Sequence, residues 1–380
     1  MKITVSKSHL VRELQRAHGI VGTSLPSLIL SNLLVEAADG EAHLTATDFE
    51  IGLRSRVEAS VSTPGRLTLP AKKTLDLVRL LPETDIVIEQ DGGHVRVSAD
   101  GFEARMASAP ADEFPVLPAR PTGASSESLP AEVLRQMIAR TVFAVAKDGD
   151  HRYAISGALL QVAPKEMRLV ATDGHRLAVV SVPVDGLSGD PFEVVIPRKT
   201  LAELRLVLSD EAGPVLLTRG ENHLFVEVGR ALVISRLIDG QFPAYESVVP
   251  KAYPHRVVFD ANELLGAVRR VAVLSSAVRR VSARSSEKIR TVKVEVSSGW
   301  VDVSAENPED GEAKESIEVD YDGPRCVVVL NAAYLIDFLG AVGTDHVSLS
   351  FGHDGGRPVL WAPEREESRT YRYVVMPMRA

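Results

Sequence analysis

Asp173 and His175 stand two residues apart in the run Thr172-Asp173-Gly174-His175-Arg176, the densest set of chemistry-bearing side chains in the 380-residue chain. An aspartate beside a histidine is a pairing that general acid–base catalysis uses. A hydrolase would also need an activated nucleophile or a phosphate cradle. The patterns GxSxG, GxxxxGKS/T and GxGxxG are all absent. The ten histidines show neither HExxH nor HxxxH spacing, and Cys326 is the single cysteine, so no metal, disulfide or cofactor is expected. An earlier stretch with the same opening reads Thr47-Asp48-Phe49-Glu50-Ile51, without a histidine. The shared Thr-Asp pair is then turn chemistry, its side chains bonding nearby backbone N–H groups. Gly174, His175, Arg176 and Leu177 combine a permissive backbone, donors and an apolar group. That suits recognition better than catalysis, and the chain is expected not to be an enzyme.

The elements that must hold this turn recur three times. A strand running into a polar turn reads LTATDFEIGLRSRV, LVATDGHRLAVVSV and VDVSAENPEDGEAKESIEV, with Ala46, Ala171 and Ala305 in register at steps of 125 and 134 residues. A strand, a cap and an amphipathic helix read LTLPAKKTLDLVRLLP, VVIPRKTLAELRLVLS and VVVLNAAYLIDFLGAV. Here Pro70, Pro197 and Asn331 correspond at steps of 127 and 134; both residue types start helices well. A closing segment reads ASAPADEFPVLP, LIDGQFPAYESVVP and YVVMPMRA, with Pro115, Pro243 and Pro377 at steps of 128 and 134. Three markers agreeing on one long period predict a domain repeated three times, over roughly residues 1–120, 128–250 and 253–380. Each copy opens with a helix, over 6–21, 130–146 and 260–276, and carries a second over 70–82, 196–210 and 331–342. Short alternating runs such as HVRVSAD and HLFVEVG predict strands with one buried face. The fold class expected is α+β: three similar domains, each two helices packed on antiparallel sheets.

Net charge is −8, which by itself disfavours binding to a polyanion. Its distribution says otherwise. The six helices hold thirteen cationic against eight anionic residues, a net +5, which leaves −13 on the rest. Basic helix faces lining one surface could follow a phosphate backbone without reading sequence. Aromatic residues are 5% of the chain, too few for a base-stacking stripe. Residues 278–290 add Arg279, Arg280, Arg284, Lys288 and Arg290 against Glu287; they are expected as a loop insertion available for a further contact. No apolar run is long enough for a membrane span, and the N-terminus lacks a signal-peptide core, so a cytoplasmic protein with no membrane partner is expected.

The segments ATDGHRLAVVSVPV, VVIPRKTLAELRLVL, SRLIDGQFPAYESVVP and YVVMPMR resemble, in order and over the whole chain, the bacterial DNA polymerase III beta subunit, or beta sliding clamp, family. That resemblance implies a non-catalytic processivity factor: a head-to-tail homodimeric ring that encircles double-stranded DNA without sequence preference, its helices lining the pore. It also implies partners, namely the polymerase III alpha subunit, the clamp loader, and other polymerases and repair proteins. These would insert short linear motifs into a pocket between the central and C-terminal domains. Carried over residue by residue, the pocket takes Ile155, Thr172, Gly174, His175, Arg176 and Leu177. Pro243, Val248, Asn331 and Tyr334 continue it, and Val374, Val375, Met376, Pro377, Met378 and Arg379 close it. The resemblance gives DNA contacts to Arg152 and Tyr153, with Arg198, Lys199, Lys72 and Lys73 as supplements. It gives the dimer contact to Met106 meeting Val273 and Leu274.

Overall fold

The structure is a computed structural model. It describes all residues except 22–27, 148–152, 186, 188, 276, 282–285, 309, 354, 366–368 and 379–380, with backbone alone at 28, 153, 210, 277–281 and 286–289. The chain forms two compact units. One comprises Met1–Arg135, Gly186–Gly189 and Lys199–Leu237; the other comprises Gln136–Asp185, Asp190–Arg198 and Ile238–Ala380. The division cuts through the second repeat, and strand pairing explains why.

In the first unit, a five-stranded sheet runs in the order Ser60–Thr63, Lys2–Ser6, Asp85–Asp91, His94–Ala99, Phe102–Ala107. Beside it is an eight-stranded sheet: Ser126–Pro130, Pro214–Arg219, His223–Val228, Ala231–Arg236, Ile51–Glu58, Glu41–Thr47, Asn32–Ala38, Gly65–Pro70. The first four of these strands come from the second repeat and the last four from the first. They join where Ala231 pairs with Ser55 and Ser235 with Ile51.

The second unit repeats the plan. Its eight-stranded sheet runs Phe192–Pro197, Gly157–Ala163, Glu166–Thr172, Arg176–Pro183, Thr370–Val375, Val359–Pro363, His346–Phe351, His255–Asp260. The second and third repeats join where Arg176 pairs with Val375 and Ser181 with Thr370. The remaining sheet holds Ala277–Val281, Ser286–Ser297, Trp300–Asn307 and Gly311–Glu318, with Cys326–Asn331 also pairing with Ser286–Ser297. Within the basic stretch expected as a loop, 277–281 and 286–290 pair as an antiparallel ribbon, Ala277 opposite Arg290 and Val281 opposite Ser286, while 282–285 lie outside the described residues. Each repeat thus donates one half-sheet to each neighbour, so every joint between repeats is a ladder of main-chain hydrogen bonds.

Six helices occur among the described residues, two per repeat: α1 Lys7–His18, α2 Ala71–Leu80, α3 Ala131–Ala139, α4 Arg198–Val207, α5 Ala261–Val271 and α6 Ala332–Ala341. They are shorter than the periodicity predicts, because α3, α4 and α5 tighten near their ends into the 3₁₀ turns Val142–Ala144, Leu208–Asp210 and Ala272–Leu274. Asp260 caps α5 by accepting from Glu263 N at 2.8 Å, and Asn331 caps α6 by accepting from Ala333 N at 3.0 Å. No helix among the described residues is long and apolar enough to cross a membrane.

Within the first unit, α1 meets α4 and the chain just after it through buried charge. Arg16, 4% exposed, donates to Glu211 at 2.9 Å and to Glu13 at 3.4 Å. The Glu203 carboxylate lies over Gly19, where a Cβ would fall 2.1 Å from Oε2. Burial raises the Glu203 pKa above 4.5, with Asp48 adding and Lys199 opposing, and Oε2 has no hydrogen-bond partner. A raised folded-state pKa means stabilisation that is whole below the unfolded value and lost as pH rises through the folded one. Glu203→Gln is therefore expected to raise the melting temperature near pH 8, with the gain shrinking toward pH 4. Melting curves at both pH values check this, and an equal gain at both would contradict it.

Candidate functional site

The Thr172–Arg176 turn is built by side chain-to-backbone bonds. Thr172 Oγ1 donates to the Arg176 carbonyl at 2.7 Å and accepts from Gly174 N at 3.0 Å. Asp173 Oδ1 accepts from His175 N at 2.9 Å and Arg176 N at 3.0 Å. Gly174 takes φ 84°, a left-handed conformation that glycine adopts without steric cost. The first repeat makes the same turn bond for bond. Thr47 Oγ1 donates to Ile51 O at 3.0 Å and accepts from Phe49 N at 3.1 Å, and Asp48 Oδ1 accepts from Glu50 N and Ile51 N at 2.9 and 2.8 Å. Asp173 is committed to this turn and to Arg176, so it is not poised as a base for His175.

Strand alternation then sorts the neighbouring side chains onto two faces. On one face, Leu177 lies opposite Val374, and Val374 opposite Leu360, so one apolar row crosses three strands drawn from two repeats. Val179, Val170 and Leu159 form the next row. Ile155, Ala146, Val195, Ile238, Phe242 and Tyr245 complete this cluster, with Val249 and Leu360 packed against it partly buried. Tyr245 is pinned across the sheet: its hydroxyl accepts from Arg168 at 3.1 Å and donates to Gln161 at 2.9 Å. Burial raises its pKa, opposed by Arg168. Around this floor Val248 and Met376 are exposed, at 44% each, and so is Pro243. Met376 N donates to the His175 carbonyl at 2.9 Å and Met378 N to the Val329 carbonyl at 2.8 Å, so the chain end is laid down beside the turn. Pro377 and Met378 are half-buried.

Four of the expected site residues are directed elsewhere. Val375 pairs with Arg176 on the opposite face of the sheet. There the Arg176 guanidinium is 7% exposed, between the Tyr334 ring at 4.2 Å and the Phe143 ring at 5.4 Å. It donates to Asp173 at 2.9 Å, to Asp337 at 2.7 Å and to the Phe143 carbonyl. Burial pulls its pKa down, but Tyr373, Asp173 and Asp337 outweigh burial and hold it above the ordinary value. Tyr334 is half-buried under that guanidinium, and Asn331 is occupied capping α6. Arg379 and Arg152 lie outside the described residues, and Tyr153 is described by backbone alone, at the start of the 3₁₀ turn Tyr153–Ser156. Sequence reasoning missed Leu360, Phe242, Tyr245, Val170 and Val179. Val179 was reachable by counting two on from Leu177; Leu360 carried no local signal.

The repeat-related surface in the first unit is closed. Gly52 stands where Leu177 stands in the second repeat, paired with Ile234. Leu117 lies over it so closely that a Cβ at Gly52 would come 2.8 Å from Leu117 Cδ2. There the chain covers its own floor.

The helix charges are only partly free. Arg16 is buried, and Lys199 binds Asp48 and the Ile20 carbonyl. Lys72 and Lys73 are exposed in the first turn of α2, and Arg198 is half-buried as the first residue of α4. Neither first turn holds an acidic residue. Cations at a helix N-terminus oppose the macrodipole, by about 0.3–1 kcal/mol each. Their placement there is locally unfavourable and becomes favourable against an external anion. Met106 is half-buried on Phe102–Ala107, the end strand of the first unit's five-stranded sheet. Val273 is 68% exposed and Leu274 half-buried on the turn Ala272–Leu274 of the second unit.

Family models for the DNA polymerase III beta subunit match in chain order: the N-terminal domain over residues 1–118, the central domain over 128–244 and the C-terminal domain over 246–379. The beta sliding clamp of Pseudomonas putida is 35% identical over 381 residues and that of Escherichia coli 34%, each covering the whole of both chains. The crystal structure of the Pseudomonas aeruginosa DNA polymerase sliding clamp superposes with a TM-score of 0.87 at 35% identity, covering both chains fully. A sliding clamp from the same organism, bound to griselimycin, superposes at 0.89 and 34%, again over the whole of both chains. A thrice-repeated α+β unit, joined sheet to sheet and matched in order from end to end, makes this chain a member of the DNA polymerase III beta subunit family, the beta sliding clamps.

Proposed function

We propose that the chain is a cytoplasmic DNA sliding clamp whose three domains span roughly residues 1–120, 128–250 and 253–380, and that it seats partner peptides on the Leu177–Val374–Leu360 floor. It closes head to tail with a second copy around duplex DNA. It holds the replicative polymerase, the clamp loader and repair proteins there without performing chemistry itself. The observation that carries the peptide site is the apolar row shared by two repeats, lying on the sheet face away from Tyr373 and α6 and rimmed by exposed Val248 and Met376. An apolar anchor buried on such a floor gains about 1.5–3 kcal/mol. Two or three anchors with a few backbone bonds reach roughly micromolar affinity, ~−8 kcal/mol. Methionine on the rim adapts to several sequences.

Lys72, Lys73 and Arg198 meet phosphates, with Lys199 contributing less because Asp48 already neutralises it. Met106 on its end strand packs against Val273 and Leu274 of the second copy. Such a contact joins different surfaces and closes only as a ring.

Retention on DNA tests the reading. Loaded clamps are expected to stay on closed circular DNA at about 0.5 M salt, which strips electrostatic binders, and to be lost when the circle is cut. Equal loss from circles and linear DNA would identify an open scaffold and sink the proposal.

A further inference from the structure

Outside that site, two imidazoles meet in the second unit. His255 opens the strand His255–Asp260, and His353 sits in the turn that follows the neighbouring strand His346–Phe351. The register sets His255 opposite Phe351, which makes His353 its diagonal neighbour across an antiparallel pair. His255 Nε2 and His353 Nδ1 are 3.1 Å apart. The ring centroids are 5.0 Å apart with the planes at 78°. The His255 ring also lies 5.6 Å from that of Phe351, which is fully buried, so one imidazole is backed by the core. The Tyr253 hydroxyl, two residues before His255, donates to the Pro358 carbonyl.

We propose that His255 and His353 form a two-point site for a transition-metal dication of the zinc, nickel or copper class. Ring nitrogens each ~2.0–2.1 Å from one ion, in a tetrahedral or square arrangement, lie about 3 Å apart, which is the separation found. Without an ion the two rings share one N–H···N hydrogen bond, its donor set by the tautomers, and an ion would take the place of the shared proton. Imidazole selects such ions over magnesium and calcium, which take oxygen ligands. No group of three or more His, Cys, Asp or Glu ligands occurs among the described residues. The two histidines are 98 residues apart in sequence, so no spacing motif announces them.

The test uses the full-length untagged dimer, titrated with nickel or zinc chloride by calorimetry beside His255→Ala and His353→Ala. One ion per chain is expected in the parent, weakened ~10-fold or more by either substitution once the second tethered ligand is gone. Zinc is also expected to raise the melting temperature of the parent and leave that of His353→Ala unmoved; His353 is exposed, so its replacement keeps the fold. Equal stoichiometry and affinity in all three proteins, or no ion on the parent, overturns the proposal.

Discussion

Removing residues 376–380 abolishes stimulation of the polymerase while leaving a folded dimer: that is the result expected if the peptide floor is as described. The strand Thr370–Val375, which carries Val374 into the apolar row, stays intact in such a truncation. Lost are the exposed Met376 side chain and two anchoring bonds, Met376 N to the His175 carbonyl and Met378 N to the Val329 carbonyl. Two such hydrogen bonds are worth about 1 kcal/mol each, too little to unfold the unit. One apolar wall of the site is worth about 1.5–3 kcal/mol of peptide affinity, or roughly 10- to 100-fold in the dissociation constant. Met106, Val273 and Leu274, proposed at the dimer contact, lie elsewhere in the chain and are untouched. Met376→Ala alone is expected to give a smaller loss of the same kind. The measurements are primer extension with and without the clamp, a peptide titration, and sedimentation for the dimer. Full stimulation by the truncated chain sinks the site assignment.

The turn at Thr172 was legible because its chemistry is local. Thr47-Asp48 and Thr172-Asp173 make the same set of backbone bonds, and two residues of sequence suffice to predict them. The helix starts at Pro70, Pro197 and Asn331 were legible for the same reason. What local pattern cannot carry is which strand lies beside which. Leu360 enters the floor only because Thr370–Val375 pairs with Val359–Pro363 on one side and Arg176–Pro183 on the other. That ladder is also why the compact units cut the second repeat in two, whereas periodicity marks only the repeat itself. The helix charge count overstates the free cationic charge for a related reason. Arg16 sits on an amphipathic helix and reads as a solvent-facing cation, but the packing of α1 in the first unit draws Glu211 onto it. Alternation, finally, tells that Leu177 and Arg176, or Val374 and Val375, face opposite ways. It does not tell which face meets the helix.

The face on which Arg176 lies decides what it does. As a peptide-contacting donor it would be exposed beside Leu177; the structure has it beneath the sheet, serving three acceptors. Arg176→Met is therefore expected to lower stability by about 3 kcal/mol, toward the low end for breaking a buried ion pair because Asp337 is partly exposed. In a chain of this size that is a fall of roughly 5–10 °C in melting temperature. Arg176→Lys is expected to recover little, since one ammonium cannot reach three acceptors nor stack between Phe143 and Tyr334. The folded-state pKa of Arg176 lies above its unfolded value, so its stabilisation is complete below that value and is lost only as pH rises through the folded one. The deficit of the Met variant should accordingly be the same at about pH 6 and pH 9. Asp337→Asn, which removes one of the three acceptors and leaves the guanidinium its bonds to Asp173 and Phe143, should cost less. At temperatures where the Met variant is folded, the bonds from Thr172 and Asp173 still shape the turn, so peptide affinity should fall little. An unchanged melting temperature together with lost peptide binding would place Arg176 at the peptide after all.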